Sequence, residues 1–66
     1  MKIKLNGKFF FLKNIFFLNE LIIKLNLNKY LIAVSVNKII IQICNWSRYL
    51  LNEGDCVDII TAVGGG

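Results

Sequence analysis

The sequence predicts an α+β fold in which a mixed five-stranded sheet packs on one main helix, two layers deep. Three observations lead there. Short runs with strand character lie near both ends and in the middle of the chain. A single window, Leu18, Leu21, Ile22 and Leu25, repeats apolar residues at helical spacing. Turn-forming clusters separate the runs, giving the order strand, strand, helix, strand, strand, strand.

Lys2-Ile3-Lys4-Leu5 alternates polar and apolar, the period of a half-buried strand. Asn6-Gly7 supplies residues that tolerate positive φ, so the chain turns back tightly. Phe9-Phe10-Phe11-Leu12, rich in β-favouring aromatics, reads as the returning strand. The helix follows over Leu18–Leu25, with Asn14 as a candidate cap, Glu20 and Lys24 as a stabilising i,i+4 pair, and Asn26 and Asn28 at the exit. Leu31–Val36 is almost wholly apolar and is expected at the centre of the sheet. Asn37-Lys38 turns into Ile39-Ile40-Ile41, a further strand. From Trp46 to Leu51 the period loosens into a turn or short helix, and Trp46 is expected in the core or at its flank. Asn52-Glu53-Gly54-Asp55 is a second strong turn, and Val57–Val63 is the last strand. Ile3, Leu5, Val34, Val36, Val57 and Ile59 are the sheet residues expected beneath the helix. Residues 1–63 form the domain on this reading, and residues 64–66 a flexible tail.

A chain of 66 residues makes one domain. A domain of this size buries only about 60% of the surface its unfolded chain exposes, so a pocket with several positioned catalytic groups is hard to fit. With no His and four acids, no general-base constellation can be assembled, and the chain is expected not to be an enzyme. The apolar fraction of 56% raises the possibility of a membrane protein, but Lys29, Lys38 and Arg48 interrupt the middle of the chain. A spanning helix needs about 20 mostly apolar residues in a row. Lys2, Lys4, Lys8 and Lys13 break up any secretory leader. No membrane partner is expected. Cys44 and Cys56 have neither the spacing nor the His of a metal site, and they read as ordinary reduced thiols with no metal bound.

The eight Lys and Arg all fall in residues 1–48, with Glu20 the one acid there. Glu53, Asp55 and Asp58 follow, so an acidic end sits on a basic body. The composition leans to Ile, Asn, Lys, Phe and Leu, residues with AT-rich codons. That bias points to a drifted genome such as a plastid or a reduced symbiont, and it weakens the net charge of +4 as a sign of nucleic-acid binding. The cytoplasm, or the plastid stroma for an organelle-encoded chain, is the expected compartment.

The residues that carry chemistry are Gly64, Gly65 and Gly66. Most chain ends are frayed and polar. Here a patterned strand runs almost to the last residue and then every side chain vanishes. Glycine has no Cβ, so the run is as thin as a protein tail can be and can thread a narrow channel. An α-carboxyl is an anion at neutral pH, able to attack the α-phosphorus of ATP. The acyl-adenylate so formed would yield to a sulfur donor, with AMP leaving and a thiocarboxylate remaining. A terminal glycine run alone reads equally well as a frayed end or a cloning remnant; the strand in front of it favours the chemical reading.

The stretch from Asn52 through Glu53-Gly54-Asp55, Val57-Asp58-Ile59 and Ala62-Val63 to Gly66 resembles the C-terminal signature of the thiamine-pathway sulfur carriers, the ThiS family. Ala33–Asn37 resembles the family's central strand, Trp46 stands where a Trp is common, and Leu18–Leu25 matches its helix. The likeness runs nearly the whole chain and is specific over residues 52–66. The chain departs from the pattern at Gln42-Ile43, where Pro-Arg is usual, at Phe17, where a polar helix cap is usual, and in its basic charge.

The resemblance implies a ubiquitin-like β-grasp fold. It implies that an E1-like adenylyltransferase of ThiF type adenylylates Gly66, and that sulfur from a cysteine-desulfurase route makes the thiocarboxylate. A thiazole synthase of ThiG type would then consume the sulfur. The carrier itself would bind no cofactor; ATP and the sulfur donor belong to the activating enzyme. With Val57, Ile59 and Thr61 towards the helix, Ile60 and Ala62 fall on the open sheet face, and with Val63 they are the candidate docking residues. The bland alternative is that they cover a loop. Asp55 and Asp58 read as solvated turn and strand residues. The small subunit of molybdopterin synthase or a tRNA-thiolation carrier is the alternative function within the same fold. A small basic RNA-binding module, using the lysines and Phe9–Phe11, is the distant one, and no nucleic-acid partner is expected.

Overall fold

The computed structural model describes residues 1–14 and 16–61. Strands β1 (Lys2–Leu5) and β2 (Lys8–Phe11) form a hairpin, and helix α1 (Leu18–Lys24) follows. Strands β3 (Ile32–Val36), β4 (Ile39–Ile41) and β5 (Cys56–Thr61) complete a sheet of order β2-β1-β5-β3-β4. β5 pairs parallel with β1 and antiparallel with β3, so the last strand occupies the middle. β3 is interior but one place off the centre expected from its apolar run. Nor is that run covered on both sides: Ile32, Val34 and Val36 are buried, while Ala33 is exposed and Ser35 half-buried. The expected strand over Phe9–Leu12 starts one residue earlier, and its ring positions split. Phe10 packs against the core, whereas Phe9 and Phe11 are exposed on the opposite face.

Both hairpins close through two residues with positive φ, Asn6 (50°) with Gly7 (83°) and Asn37 (52°) with Lys38 (70°). This is the turn whose twist matches that of paired strands. The registers agree, with Leu5 opposite Lys8 and Val36 opposite Ile39.

The helix does not start where Asn14 would cap it. Phe17 takes the cap position, and a Phe side chain has no oxygen to offer. Glu20 closes the end instead, its Oε1 accepting from the Phe17 N–H at 2.9 Å. Its carboxylate thus caps the helix, where the sequence had paired it with Lys24. The exit follows the expected Asn26, which adopts φ 57°. Leu27 N–H donates to Ile22 O and Asn26 N–H to Ile23 O, the paired closure of a Schellman motif. Leu18, Leu21 and Ile22 bury completely, and Leu25 packs at the margin.

Beneath them lie Ile3, Val34, Val36 and Val57, all buried, with Leu5 and Ile59 partly so. Trp46 is 1% exposed and donates its indole N–H to Ile41 O at 2.8 Å, so its one polar atom is satisfied within the core. It follows a 3₁₀ turn, Ile43–Asn45, and opens the loose segment expected as a turn or short helix, which is a turn over residues 46–48; Leu50 then makes an isolated bridge to Phe17. A second 3₁₀ turn, Lys29–Leu31, carries no apolar period, and Asn28 Oδ1 caps it by accepting from Tyr30 N–H at 3.0 Å.

Candidate functional site

The glycine residues Gly64, Gly65 and Gly66, and the docking candidates Ala62 and Val63, lie outside the described residues. What the structure does describe is the platform that leads to them. β5 is held on both sides, and its last residue, Thr61, pairs with Ile32 at the start of β3. Asn6 braces the strand from the β1–β2 turn: its Oδ1 accepts from Ile59 N–H at 2.7 Å, and its N–H donates to Val57 O at 2.9 Å. Positive φ at Asn6 thus serves the turn while its side chain continues the ladder where β1 has ended.

Entry into β5 is equally fixed. Asp55 is 8% exposed, contrary to the expectation of a solvated turn residue. Its Oδ2 accepts from Asn52 N–H at 2.8 Å and its Oδ1 from Asn37 Nδ2 at 3.1 Å. Asn37 in turn accepts from Cys56 N–H through Oδ1 at 3.0 Å and donates its own N–H to Cys56 O at 2.7 Å. The Asn37–Asp55 pair therefore locks the β3–β4 turn to the loop before β5. The loop itself turns at Gly54, φ 84°, whose N–H donates to Lys2 O. Asp58 is half-buried in the strand, opposite Ser35.

Ile60 is 66% exposed on the sheet face away from α1. Its strand partner is Ala33, also exposed, and Ile40 stands opposite Ser35 on the same face. Ile60, Ala33 and Ile40 thus make an open apolar surface on the β4 side of that face. Sequence reasoning singled out Ile60 and missed the other two; the burial of Val34 and Val36 was the signal, because period two sends Ala33 and Ser35 outwards. On the β2 side the same face is basic and aromatic. Lys4 pairs with Phe9 and Lys2 with Phe11, and Lys2 Nζ stands 4.5 Å from the Phe9 ring centroid.

Both cysteines are free and exposed. Among the described residues no group of three or more His, Cys, Asp and Glu could hold a metal ion, and no helix is long and apolar enough to cross a membrane.

The model of the ThiS family matches residues 3–66. Among relatives, the uncharacterized protein ycf40 of Trieres chinensis is 29% identical over 62 residues, which span 94% of this chain and 85% of that protein. Among solved structures, the thiamine biosynthesis protein (ThiS) of Geobacter metallireducens superimposes with a TM-score of 0.87 over the full length of both chains at 22% identity. That likeness makes the architecture the ubiquitin-like β-grasp expected from the sequence.

Proposed function

Since the chain belongs to the ThiS family of small sulfur carriers, we propose that it carries sulfur as a thiocarboxylate on Gly66 and delivers it to a thiazole synthase in thiamine formation. The observation that carries this reading is the family match, which runs through the glycine run to the last residue of the sequence. An E1-like adenylyltransferase activates the carboxylate with ATP, and pyrophosphate leaves. A sulfur donor then displaces AMP. The carrier contributes no catalytic base. Its part is to hold β5 rigid in mid-sheet so that residues 64–66 reach a partner's active site as a thin tail, with Ile60, Ala62 and Val63 seated on the partner surface. The exposed Ile60 supports that placement, since an apolar side chain on an open face favours burial against a partner. The drifted composition supports plastid stroma or the cytoplasm of a reduced organism as the setting.

Deletion of Gly66 tests the reading. ATP–pyrophosphate exchange by the activating enzyme is expected to fall to background while the melting curve stays that of the parent. Full exchange by the shortened chain would refute the tail chemistry. Gly65→Val is expected to slow exchange by steric block in the channel, and an unchanged rate would count against threading. Capture of a large molybdopterin synthase subunit in place of a thiazole synthase would move the chain to the alternative pathway.

Exposed Phe9 and Phe11 beside Lys2 and Lys4 favour one second reading, a single-strand RNA surface. Salt-dependent RNA affinity that survives removal of Gly65 and Gly66 would establish it.

A further inference from the structure

β5 is flanked unevenly. β3 pairs with it as far as Thr61, opposite Ile32, whereas β1 pairs with it only as far as Val57, opposite Leu5. Past Val57 the side that β1 faces would be an open edge, and a strand end held on one side opens at low cost. Asn6 closes that edge. Its N–H donates to Val57 O at 2.9 Å, which continues the parallel ladder by one step, and its Oδ1 accepts from Ile59 N–H at 2.7 Å. In a regular parallel ladder that second bond belongs to a main-chain carbonyl. β1 does not supply it, because at Asn6 the chain enters the left-handed region, φ 50°, to make the hairpin turn. The side-chain amide stands in for it. Asn37, at φ 52° in the other hairpin, makes the matching pair of bonds to the N–H and O of Cys56. Asn37 thus fixes where β5 enters the sheet, and Asn6 fixes where it leaves.

The Asn6–Ile59 bond is exposed, so water can replace Oδ1 as the acceptor and its loss costs little stability. Water does not tie β5 to the β1–β2 turn, however, and what is lost is the direction of the strand end. On the function proposed above, residues 62–66 are drawn out in a partner's channel while the body rests on the partner surface. An extended segment of that length spans about 17 Å, so a swing of about 10° at the strand end moves the carboxylate by about 3 Å. A misplacement of about 1 Å can lower a rate about a hundredfold.

We propose that Asn6 is a positioning residue for adenylylation: its side-chain amide holds the exit of β5 so that the docked carrier presents its carboxylate in line with the α-phosphorus of ATP. The inference rests on the carrier function proposed above. Asn6 touches no reacting atom and acts through Ile59.

The test compares the parent chain with N6G and N6D in steady-state adenylylation, with the carrier as varied substrate, at a temperature where melting curves show all three folded. Glycine keeps the positive φ of the turn and removes only the acceptor. Asp-Gly makes the same turn and keeps an oxygen at that position. N6G is expected to lower kcat roughly tenfold with KM unchanged, since the glycines absorb part of the misalignment. Its Ile59 amide is expected to exchange with deuterium faster than the parent's. N6D is expected to restore both the parental kcat and the slow exchange. A purely structural role would move the melting curve and leave kcat of the folded chain alone. Parental kcat in N6G, a loss confined to KM, or a kcat in N6D as low as in N6G with Ile59 protected would each overturn the positioning role and leave the carrier function standing. An N6G chain that does not fold would make Asn6 a folding residue and overturn it likewise. A parent chain that never charges would overturn the carrier function and this inference with it.

Discussion

Asp55 shows how a single polar side chain sets the geometry of the strand that leads to the tail. It sits 8% exposed between two donors, the Asn52 N–H and the Asn37 amide. Removing it takes a charged acceptor from both, and a hydrogen bond to a charged group contributes about 1.5–3 kcal/mol. Asp55→Ala is therefore expected to lower unfolding free energy by about 2–3 kcal/mol in urea titration. Asp58→Ala, whose side chain only half-buries in mid-strand, is expected to stay within about 1 kcal/mol of the parent. Equal effects would mean that the Asn37–Asp55 pair does not hold the loop. The role was not legible beforehand. Asn-Glu-Gly-Asp reads locally as a solvated turn, and nothing in those residues announces that Asn37, 18 positions away, will close on the carboxylate. Asn6 and Gly7 were legible, because the turn they make is decided by two adjacent residues.

At the scale of elements, periodicity carried most of the information. The face Leu18, Leu21, Ile22 was readable from spacing alone and is fully buried. Leu21→Ala is expected to cost about 2–5 kcal/mol, since a cavity would open against the sheet; an unshifted melting temperature would show the helix face to be misplaced. The helix start was not readable. The sequence offered Asn14 as the polar cap, but Leu18 N–H donates to Tyr49 O and Leu51 N–H to Phe16 O, so tertiary pairing fixes where the helix begins. The same applies to β5. Its apolar pattern named it a strand, yet only the parallel pairing with β1 brings it to mid-sheet. Period two also made the open face legible at Ile60. Ile60→Asp is expected to leave stability within about 1 kcal/mol, because the side chain is already in water. The same change is expected to weaken charging by the activating enzyme, read as a raised KM. A destabilised variant with normal charging would reverse the assignment.

For the whole molecule, a β-grasp of 66 residues devotes its buried interior to a single purpose. Ile3, Val34, Val57, Leu21 and Trp46 form one apolar core between helix and sheet. Among the described residues, the open face of the sheet carries Lys2, Lys4, Phe9, Phe11, Ala33, Ile40 and Ile60. On the function proposed above, chemistry belongs to the chain end and to the enzymes that handle it. The family resemblance was legible at residues 52–66 because a sulfur carrier needs a firm last strand and a bare glycine end, and both are properties of contiguous sequence. Partner identity is a property of surfaces, and those appear only after folding sets Ile60, Ala33 and Ile40 on one face.

The whole scheme requires that other proteins load and unload the carboxylate at position 66. Intact mass of the chain after incubation with ATP, the activating enzyme and a sulfur source reads that event directly. The expected product is heavier by the difference between one sulfur and one oxygen, and it is absent when Gly66 is deleted. An unchanged mass with a competent enzyme, or the same gain in the chain lacking Gly66, would contradict it.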